Sequence, residues 1–291
     1  MFEIALKQNN YPTYILSDKS VNARLEVVPE RGGIITMWRL QGQDLLYFDA
    51  ERFADPSLSI RGGIPILFPL CGNLPNDLYV HQSKSYKLKQ HGFARDLPWT
   101  VRDRSTTDAA SITLALVSNE QTRASYPFDF ELQFTYRLKG NGLTIEQVFT
   151  NCSSETMPFS TGLHPYFLTQ DKRQLTFEIA AKQWRNQMDQ TLHSFNGHFD
   201  IEAEEIDAAL FPVTRPASLV NNRRNHKITL TSSELYKGIV FWTVQGKDYC
   251  CLEPWSAPRN ALNSKEFLTY LEPGESQTAQ VELTVSYLNK S

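Results

Sequence analysis

The sequence predicts an all-β fold, a large antiparallel sandwich or barrel. Strand-like segments follow one another roughly every 8 to 12 residues, separated by turn-forming residues, as is typical of such folds. The chain contains 17 Phe, 12 Tyr and 5 Trp, and aromatic residues favour strands. The segment most compatible with a short helix is FDIEAEEIDAALF, residues 199–211, which is acidic and poorly periodic. Because no linker divides the chain, we expect one domain over residues 1–291.

Short strands are predicted in the first half of the chain. The segment ARLEVVPERGGIITMWRLQGQDLLYF is interrupted by Pro29 and by Gly32 and Gly33, and Gly42 marks a tight turn. Residues 110–118, ASITLALVS, alternate between apolar and small or polar side chains, which indicates a strand.

Two long hairpins follow. Residues 128–151 read as two strands joined at residues 139–142, where glycine permits the positive φ of a hairpin turn. Residues 238–255 read as a second hairpin that turns at residues 245–248. The last strand, within residues 277–288, places four apolar side chains on one side: Val281, Leu283, Val285 and Tyr287.

Charge and cysteine content exclude several classes of protein. The net charge of −3 provides no electrostatic basis for binding nucleic acid or an anionic membrane. No stretch approaches the ~20 apolar residues that span a bilayer, and MFEIALKQNNYP lacks the pattern of a signal peptide. The four cysteines include adjacent Cys250 and Cys251, which point to opposite faces of a strand. Such cysteine use fits a reducing compartment, so we expect a cytoplasmic protein.

Short catalytic and metal-binding motifs are absent from the sequence. It contains no G-x-S-x-G, no P-loop, no complete G-x-G-x-x-G and no zinc-type spacing of Cys or His. A metal site formed by His91, His164 and a carboxylate from distant strands stays open as an alternative, but no local spacing supports it. We predict neither a metal nor a cofactor.

Glu253 is the most informative single residue, because it ends an otherwise apolar strand in FWTVQGKDYCCLEPW. Strand alternation places Tyr249, Cys251 and Glu253 on one face. Partial desolvation before Pro254 raises the pKa of a carboxyl group and makes it a better base near neutrality. The alternative is a carboxylate at a strand end that meets water.

Polar side chains also occur within three aromatic or apolar segments. His164 lies in PFSTGLHPYF, residues 158–167; alone, it is most simply a buried histidine with a backbone partner. The segment RGGIPILFPLCGN starts at Arg61, and QHGFARDLPW contains His91 and Arg95. Arg61, His91 and Arg95 are interpreted as donors aimed at a ligand. Alternatively, Arg61 is a surface residue at a β-bulge, and His91 and Arg95 form a solvated corner beside aromatic rings.

Together these segments carry a resemblance. ERGGIITMWRLQGQDLLY, RGGIPILFP, HGFARDLPW, YPFDFELQFTYRL, PFSTGLHPYF, CLEPW and LEPGES keep the order and rough spacing of the aldose 1-epimerase (galactose mutarotase-like) family. The match runs from about residue 25 to the C-terminus, and the combination of HGFAR, GLHPYF and EPW is fairly specific. The resemblance implies a large antiparallel β-supersandwich with an open sugar-binding cleft.

The resemblance also implies a reaction. Mutarotation interconverts the α and β anomers of an aldose: a base takes the anomeric hydroxyl proton while an acid protonates the ring oxygen and the C1–O5 bond breaks. By resemblance, Glu253 is the base and His164 the acid. We expect these two side chains to face each other across a gap the width of a pyranose, with His164 protonated when the sugar binds.

The resemblance further implies sugar-binding roles for four side chains: His91, Arg61, Arg95 and Asp207. The histidine donates to a hydroxyl or to the ring-oxygen region, and the two guanidiniums contact hydroxyls or a phosphate. Asp207, in EIDAALF, is the best match to an acidic residue that the family has between its His and Glu motifs; Asp189 and Asp200 are weaker matches. The candidates for aromatic stacking on the sugar are Phe68, Trp99 and Trp255.

One departure from the family leaves phosphorylation of the sugar open. Members that act on free sugars often carry a Gly-Arg pair shortly after GGIP, where this chain has Gly72 and Asn73. Arg61 before GGIP, together with Arg95, is similar to the hexose-6-phosphate mutarotase branch, and two guanidiniums suit a phosphate dianion. The segment LEPWSAPRNALNS is more similar to free-sugar and uncharacterised bacterial branches. We therefore predict an aldohexose epimerase without specifying phosphorylation.

Two other classes of function remain as alternatives. The first is a non-catalytic carbohydrate-binding protein on the same fold. The second is a glycoside hydrolase, which needs two carboxylates roughly 5–10 Å apart, here Glu253 and Asp207. The expected partner is a small-molecule sugar or sugar phosphate rather than nucleic acid or a membrane, and we expect a monomer or homodimer.

Overall fold

The computed structural model describes residues 1–213 and 215–288, and it is 51% strand and 7% helix. The strands are β1 Phe2–Gln8, β2 Pro12–Asp18, β3 Ala23–Val28, β4 Ile34–Leu40, β5 Gln43–Asp44, β6 Ile66–Leu67, β7 Leu78–His81, β8 Lys84–Lys87, β9 Thr100–Ser105, β10 Ala110–Val117, β11 Phe130–Lys139, β12 Gly142–Asn151, β13 Met157–Phe159, β14 Gly162–Leu163, β15 Tyr166–Leu168, β16 Leu175–Glu178, β17 Gln183–Asn186, β18 Leu192–Ser194, β19 Glu205–Leu210, β20 Ala217–Asn221, β21 His226–Ser232, β22 Gly238–Val244, β23 Tyr249–Trp255, β24 Thr269–Leu271 and β25 Ser276–Tyr287. The helices are α1 Ala50–Ala54, α2 Glu120–Ser125 and α3 Ala261–Ser264, with 3₁₀ turns at Pro75–Asp77 and Lys172–Gln174.

Most strands belong to three antiparallel sheets. The first contains β1-β2-β3-β4-β5 in that order, and the second runs β16-β20-β21-β25-β12-β11-β10-β9. The third runs β18-β17-β19-β22-β23-β14-β6, with β15 also paired to β23, and two further pairs are β13-β24 and β7-β8. Within the described residues no sheet closes into a barrel. The predicted all-β antiparallel fold is therefore confirmed, as a supersandwich.

A continuous hydrophobic core lies between the sheets. Its aromatic part centres on Phe68, which follows β6 and lies within 5.1–6.2 Å of the rings of Phe130, Phe149 and Phe159. Phe130 and Phe149 belong to β11 and β12 of the second sheet, where every second side chain is buried. The packing of these rings joins the second sheet to the loop after β6, which lies beside the candidate site.

Three predicted turns and two further predicted strands are confirmed. Leu40 pairs with Gln43 across the turn at Gly42, and Lys139 pairs with Gly142 in the β11–β12 hairpin. The chain also turns between β22 and β23 as predicted, and β10 and β25 cover the other two strand predictions.

The helix considered for residues 199–211 is wrong. Residues 205–210 form β19, which pairs along its length with β22. Its burial alternates, with Ile206, Ala208 and Leu210 facing the core, because successive side chains of a strand point to opposite faces. The neighbouring strand supplies the hydrogen bonds that a helix would make internally. No helix among the described residues is long and apolar enough to cross a membrane.

Strand β23 lies inside the third sheet and is covered on both faces. It pairs with β22 along one edge and with β14 and β15 along the other, and all seven of its side chains are buried. Cys250 packs in the main core, whereas Cys251 packs with Tyr166 on the opposite face. All four cysteines are free thiols. A strand buried on both faces desolvates any polar side chain that it carries.

Candidate active site

A cavity of about 370 Å³ lies beside β23. All six charged or titratable residues assigned to the site from the sequence line it: Arg61, His91, Arg95, His164, Asp207 and Glu253. A larger cavity of about 860 Å³ lies against the first sheet and α1 and contains none of the six. We place the candidate site in the smaller cavity, because it holds the converging titratable groups.

Glu253 lies in β23 opposite Val240 of β22, with only 1% of its surface exposed. The Nε1–H of Trp255 donates to its Oε2 at 2.9 Å. Burial raises the pKa of the carboxyl group well above the ordinary value of 4.5, against the opposing effect of the Trp255 hydrogen bond. The direction of the shift is the one that the sequence predicted.

His164 lies between the short strands β14 and β15, where its backbone N–H donates to the carbonyl oxygen of Pro65. Its ring stacks on Tyr166, with centroids 4.7 Å apart, and its Nδ1 is buried without a hydrogen-bond partner among the described residues. Burial lowers the pKa of His164 well below 6.5, and the guanidiniums of Arg95 and Arg61 lower it further.

His164 and Glu253 are in direct contact, with Nε2 and Oε1 3.3 Å apart. The predicted pyranose-wide gap between them is wrong, because β14 and β23 are paired neighbours, which brings both side chains together in the wall of the cavity. Since burial raises the pKa of Glu253 and lowers that of His164, this environment favours a shared proton on the carboxyl group, as a carboxylic acid beside a neutral imidazole. The predicted imidazolium is therefore not the state that this environment favours.

His91 lies at a left-handed backbone position, with φ +65°, in a turn that docks on the loop after β6. Its Nδ1 accepts a hydrogen bond from the N–H of Gly72 at 3.1 Å, so the neutral ring carries its proton on Nε2. Burial, followed by the nearby Arg95, lowers the pKa of His91 well below 6.5. His91 is therefore a neutral donor, with its ring 5.6 Å from that of His164.

Two guanidiniums at the cavity have no carboxylate partner among the residues that the structure describes. The guanidinium of Arg61 lies 5.2 Å from the ring centre of Trp242 and 3.5 Å from the hydroxyl of Tyr166. Arg95 donates to the carbonyl oxygen of Gln90 at 3.0 Å, and its Nε is buried without a partner among the described residues. Both groups leave positive charge available to a ligand.

Asp207 is held in a network that sequence reasoning did not find. Arg259 donates to its Oδ2 at 2.7 Å, and Gln187 donates to its Oδ1 at 2.5 Å. Arg259 also donates to the Oε1 of Gln187 at 3.1 Å. Burial raises the pKa of Asp207, and the Arg259 guanidinium opposes that rise.

Comparison with known proteins identifies the family of this chain. The family model for aldose 1-epimerase matches residues 15–284. The chain belongs to the aldose 1-epimerase family. It is 49% identical to the Slr1438 protein of Synechocystis sp. PCC 6803, whose crystal structure superposes with a TM-score of 0.94 over 99% of this chain and 100% of that one.

More distantly related proteins also match over nearly the whole chain. Protein LacX (chromosomal) of Lactococcus lactis subsp. lactis is 24% identical over 96% of this chain and 98% of its own. A galactose mutarotase-like protein from Clostridium acetobutylicum is 19% identical, with a TM-score of 0.84 over 99% of both chains. The resemblance predicted from the sequence is confirmed, and membership in the aldose 1-epimerase family supports an isomerase that acts on a carbohydrate.

The aromatic residues that line this epimerase-family site differ in part from those that the sequence predicted. Trp255 lines the cavity as proposed, whereas Phe68 and Trp99 do not. Phe68 is fully buried in the core, and Trp99 packs on Phe134 at 5.1 Å. Trp242, which the sequence did not single out, forms a wall instead.

The missed residues have weak sequence signals. Arg259 follows the EPW motif by four positions, in SAPRN, and its polar character in a turn beside the site was the one available cue. Gln187 follows β17, and it reaches Asp207 because β17 pairs with β19. Such a contact depends on strand order, which periodicity does not report.

Proposed function

We propose that this protein is an aldose 1-epimerase that interconverts the anomers of an aldohexose by acid–base ring opening, with His164 and Glu253 as the proton-transfer pair. The observation that carries the proposal is their 3.3 Å contact in the wall of a polar cavity. A buried acid and base with oppositely shifted pKa values are typical of general acid–base sites.

The contact suits the chemistry because the reacting oxygens are close together. O1 and O5 of a pyranose are both bonded to C1, so two adjacent side chains reach both oxygens from one edge of the sugar. Glu253 takes the proton from O1–H, the C1–O5 bond breaks and His164 protonates O5. After rotation about C1–C2, the ring closes on the other face of the aldehyde and the two proton transfers run in reverse.

These roles require the single proton of the pair to lie on His164 when the sugar reacts. In the ligand-free site burial favours the proton on Glu253, so the proposal has it move across the 3.3 Å contact as the sugar binds. A sugar hydroxyl that donates to the carboxylate favours this transfer, because hydrogen bonds stabilise the charged form. The pair then needs only one bound proton to complete both proton transfers with the sugar, and the reaction needs no other catalyst.

The remaining polar groups position the sugar. His91 offers Nε2–H as a neutral donor, since its Nδ1 is already an acceptor. Asp207, held by Arg259, offers a carboxylate to hydroxyl groups, and Trp242 and Trp255 supply apolar ring surface.

The charge at the cavity favours a phosphorylated aldohexose over a free one. Within the described chain, neither Arg61 nor Arg95 lies within 4.0 Å of a carboxylate oxygen. Arg95 also has a buried Nε–H without an acceptor in the described part of the chain, and such an unpaired donor is costly unless a ligand satisfies it. A phosphate dianion would pair with both guanidiniums.

The alternatives have less support. A glycoside hydrolase would use Asp207 as the second carboxylate, but both of its oxygens accept hydrogen bonds from Arg259 and Gln187. A binding module would not need a buried His–Glu pair, because desolvating such groups is unfavourable for stability. The cytoplasmic location, the oligomeric state and the single-domain organisation stay predictions from the sequence.

The experiment is anomerisation followed by polarimetry of freshly dissolved α-glucose and by exchange NMR between the anomers of glucose 6-phosphate. We expect His164→Ala to lower kcat by about a hundredfold or more. The matched control is His81→Ala, which removes the imidazole of a surface His–Glu contact of 3.1 Å with Glu155, and it should leave kcat unchanged. Sugar binding without accelerated anomerisation by the wild-type protein would contradict the proposal and favour the binding module.

A further inference from the structure

Three potential metal ligands converge beside the cavity, which two of them, His164 and Glu253, line. His164 Nε2, Glu253 Oε1 and Cys251 Sγ all lie within 4.8 Å of one another, and all three residues are buried. Zinc binds such N, O and S atoms at about 2.0–2.3 Å in tetrahedral geometry, which places the ligand atoms roughly 3.3–3.8 Å apart. The His164–Glu253 separation of 3.3 Å already meets that requirement.

The fold holds these three side chains in place. Cys251 and Glu253 lie two positions apart on one face of β23, and Cys251 is flanked by Trp242 of β22 and Tyr166 of β15. The Trp255 N–H that binds Oε2 of Glu253 leaves Oε1 directed at His164. Groups that orient a ligand in this way strengthen metal sites.

We propose that Cys251, His164 and Glu253 bind a zinc ion that reversibly inhibits the enzyme. His164 and Glu253 line the cavity, so an ion can reach them from there, and a water molecule can occupy its fourth position. Inhibition rests on the proposed function, because the ion occupies the two atoms assigned to proton transfer. Binding of the ion does not rest on it.

The charge balance allows a cation near the guanidiniums of Arg61 and Arg95. Zn²⁺ would bind a thiolate, a carboxylate and a neutral imidazole, so that the ligand set carries two negative charges against the two positive charges of the ion. Any protons that these groups hold leave to solvent as the ion binds, and no group is oxidised or reduced.

The test is a titration of chelator-treated protein with Co²⁺, which reports a thiolate ligand through its near-ultraviolet charge-transfer absorption, followed by displacement with Zn²⁺. We expect one ion per chain, and we expect Cys251→Ala to abolish the band. In each protein, the ratio of anomerisation rates without and with Zn²⁺ measures inhibition. Cys251→Ala should raise the inhibition constant for Zn²⁺ by about tenfold or more, since loss even of ligand-orienting groups has effects of that size.

Matched variants make the result decisive. Cys152→Ala removes an exposed thiol and Cys250→Ala removes the buried neighbour, and both should keep the band and the inhibition. Circular dichroism checks folding, and Cys251→Ser provides a second variant of similar size. A band that survives in the Cys251 variants, or that is lost in Cys152→Ala, overturns the zinc site. If the wild-type protein does not accelerate anomerisation, the proposed function fails, while the cobalt band still decides whether the metal site exists.

Discussion

The two long hairpins of this molecule, β11–β12 and β22–β23, use the same local geometry for different purposes. In β12 burial alternates between neighbouring side chains, so that one face packs on the core and the other is more exposed. In β23 all seven side chains are buried, because other parts of the chain cover both faces.

The difference changes what a carboxylate can do. Glu146 on β12 is exposed and lies 3.6 Å from Arg137 of the facing strand, an arrangement of little energetic consequence. Glu253 on β23 is buried against His164, and its pKa is raised by burial. The comparison teaches that the desolvation of a carboxyl group on these hairpins comes from the cover over its strand rather than from the residue type.

The largest effect should come from the core of the alternating hairpin. Phe149→Ala on β12 removes a fully buried ring that packs on Phe68, Phe134 and Phe159, and it should lower the free energy of unfolding by about 3–5 kcal/mol. Denaturant unfolding measures the change, and kcat of the folded fraction should stay near that of the wild type. A loss below about 1 kcal/mol would mean that this hairpin does not carry the stability we assign to it.

The pH dependence of kcat/KM tests the one-proton state of the buried pair. A second proton binds only as the pH falls through the lowered pKa of His164, and the single proton leaves only as the pH rises through the raised pKa of Glu253. We expect a plateau across neutral pH that falls on both sides, by about tenfold per pH unit beyond each limb. An acid limb above pH 6.5 would contradict the lowered pKa of His164.

A smaller change should follow loss of a guanidinium at the cavity. Arg61→Ala should reduce the preference for glucose 6-phosphate over glucose by about tenfold or more, since hydrogen bonds to charged groups contribute about 1.5–3 kcal/mol. The measurement is the ratio of the two kcat/KM values. Arg137→Ala on β11, away from the cavity, is the control, and an unchanged ratio in Arg61→Ala would remove this residue from phosphate recognition.

The smallest predicted effect is an increase in the free energy of unfolding when the proposed catalytic carboxylate is removed. Because the folded protein holds the Glu253 pKa above 4.5, it binds a proton that the unfolded chain releases, and stability falls as the pH rises above 4.5. Glu253→Gln removes this effect and should raise the free energy of unfolding at neutral pH by about 0.5–2 kcal/mol. Glu146→Gln should change it little; a destabilised Glu253→Gln protein would contradict the assigned direction.

The sequence predicted much of the fold, because alternation and turn chemistry act over a few residues, as at residues 139–142. It also singled out His164 and Glu253 through their segments. It did not predict their contact or the Asp207–Arg259 ion pair, since both depend on which strands become neighbours in the third sheet. The helix considered at residues 199–211 was wrong for the same reason: pairing with β22 outweighs a weak local preference.

The central claim is that burial makes Glu253 a proton-transfer group. The most direct measurement compares the enzyme-catalysed anomerisation rate of Glu253→Gln with that of Glu146→Gln and the wild-type protein, all shown to be folded. The account predicts a loss of about a hundredfold or more in kcat for Glu253→Gln and none for Glu146→Gln. Turnover near the wild-type rate in Glu253→Gln would contradict it.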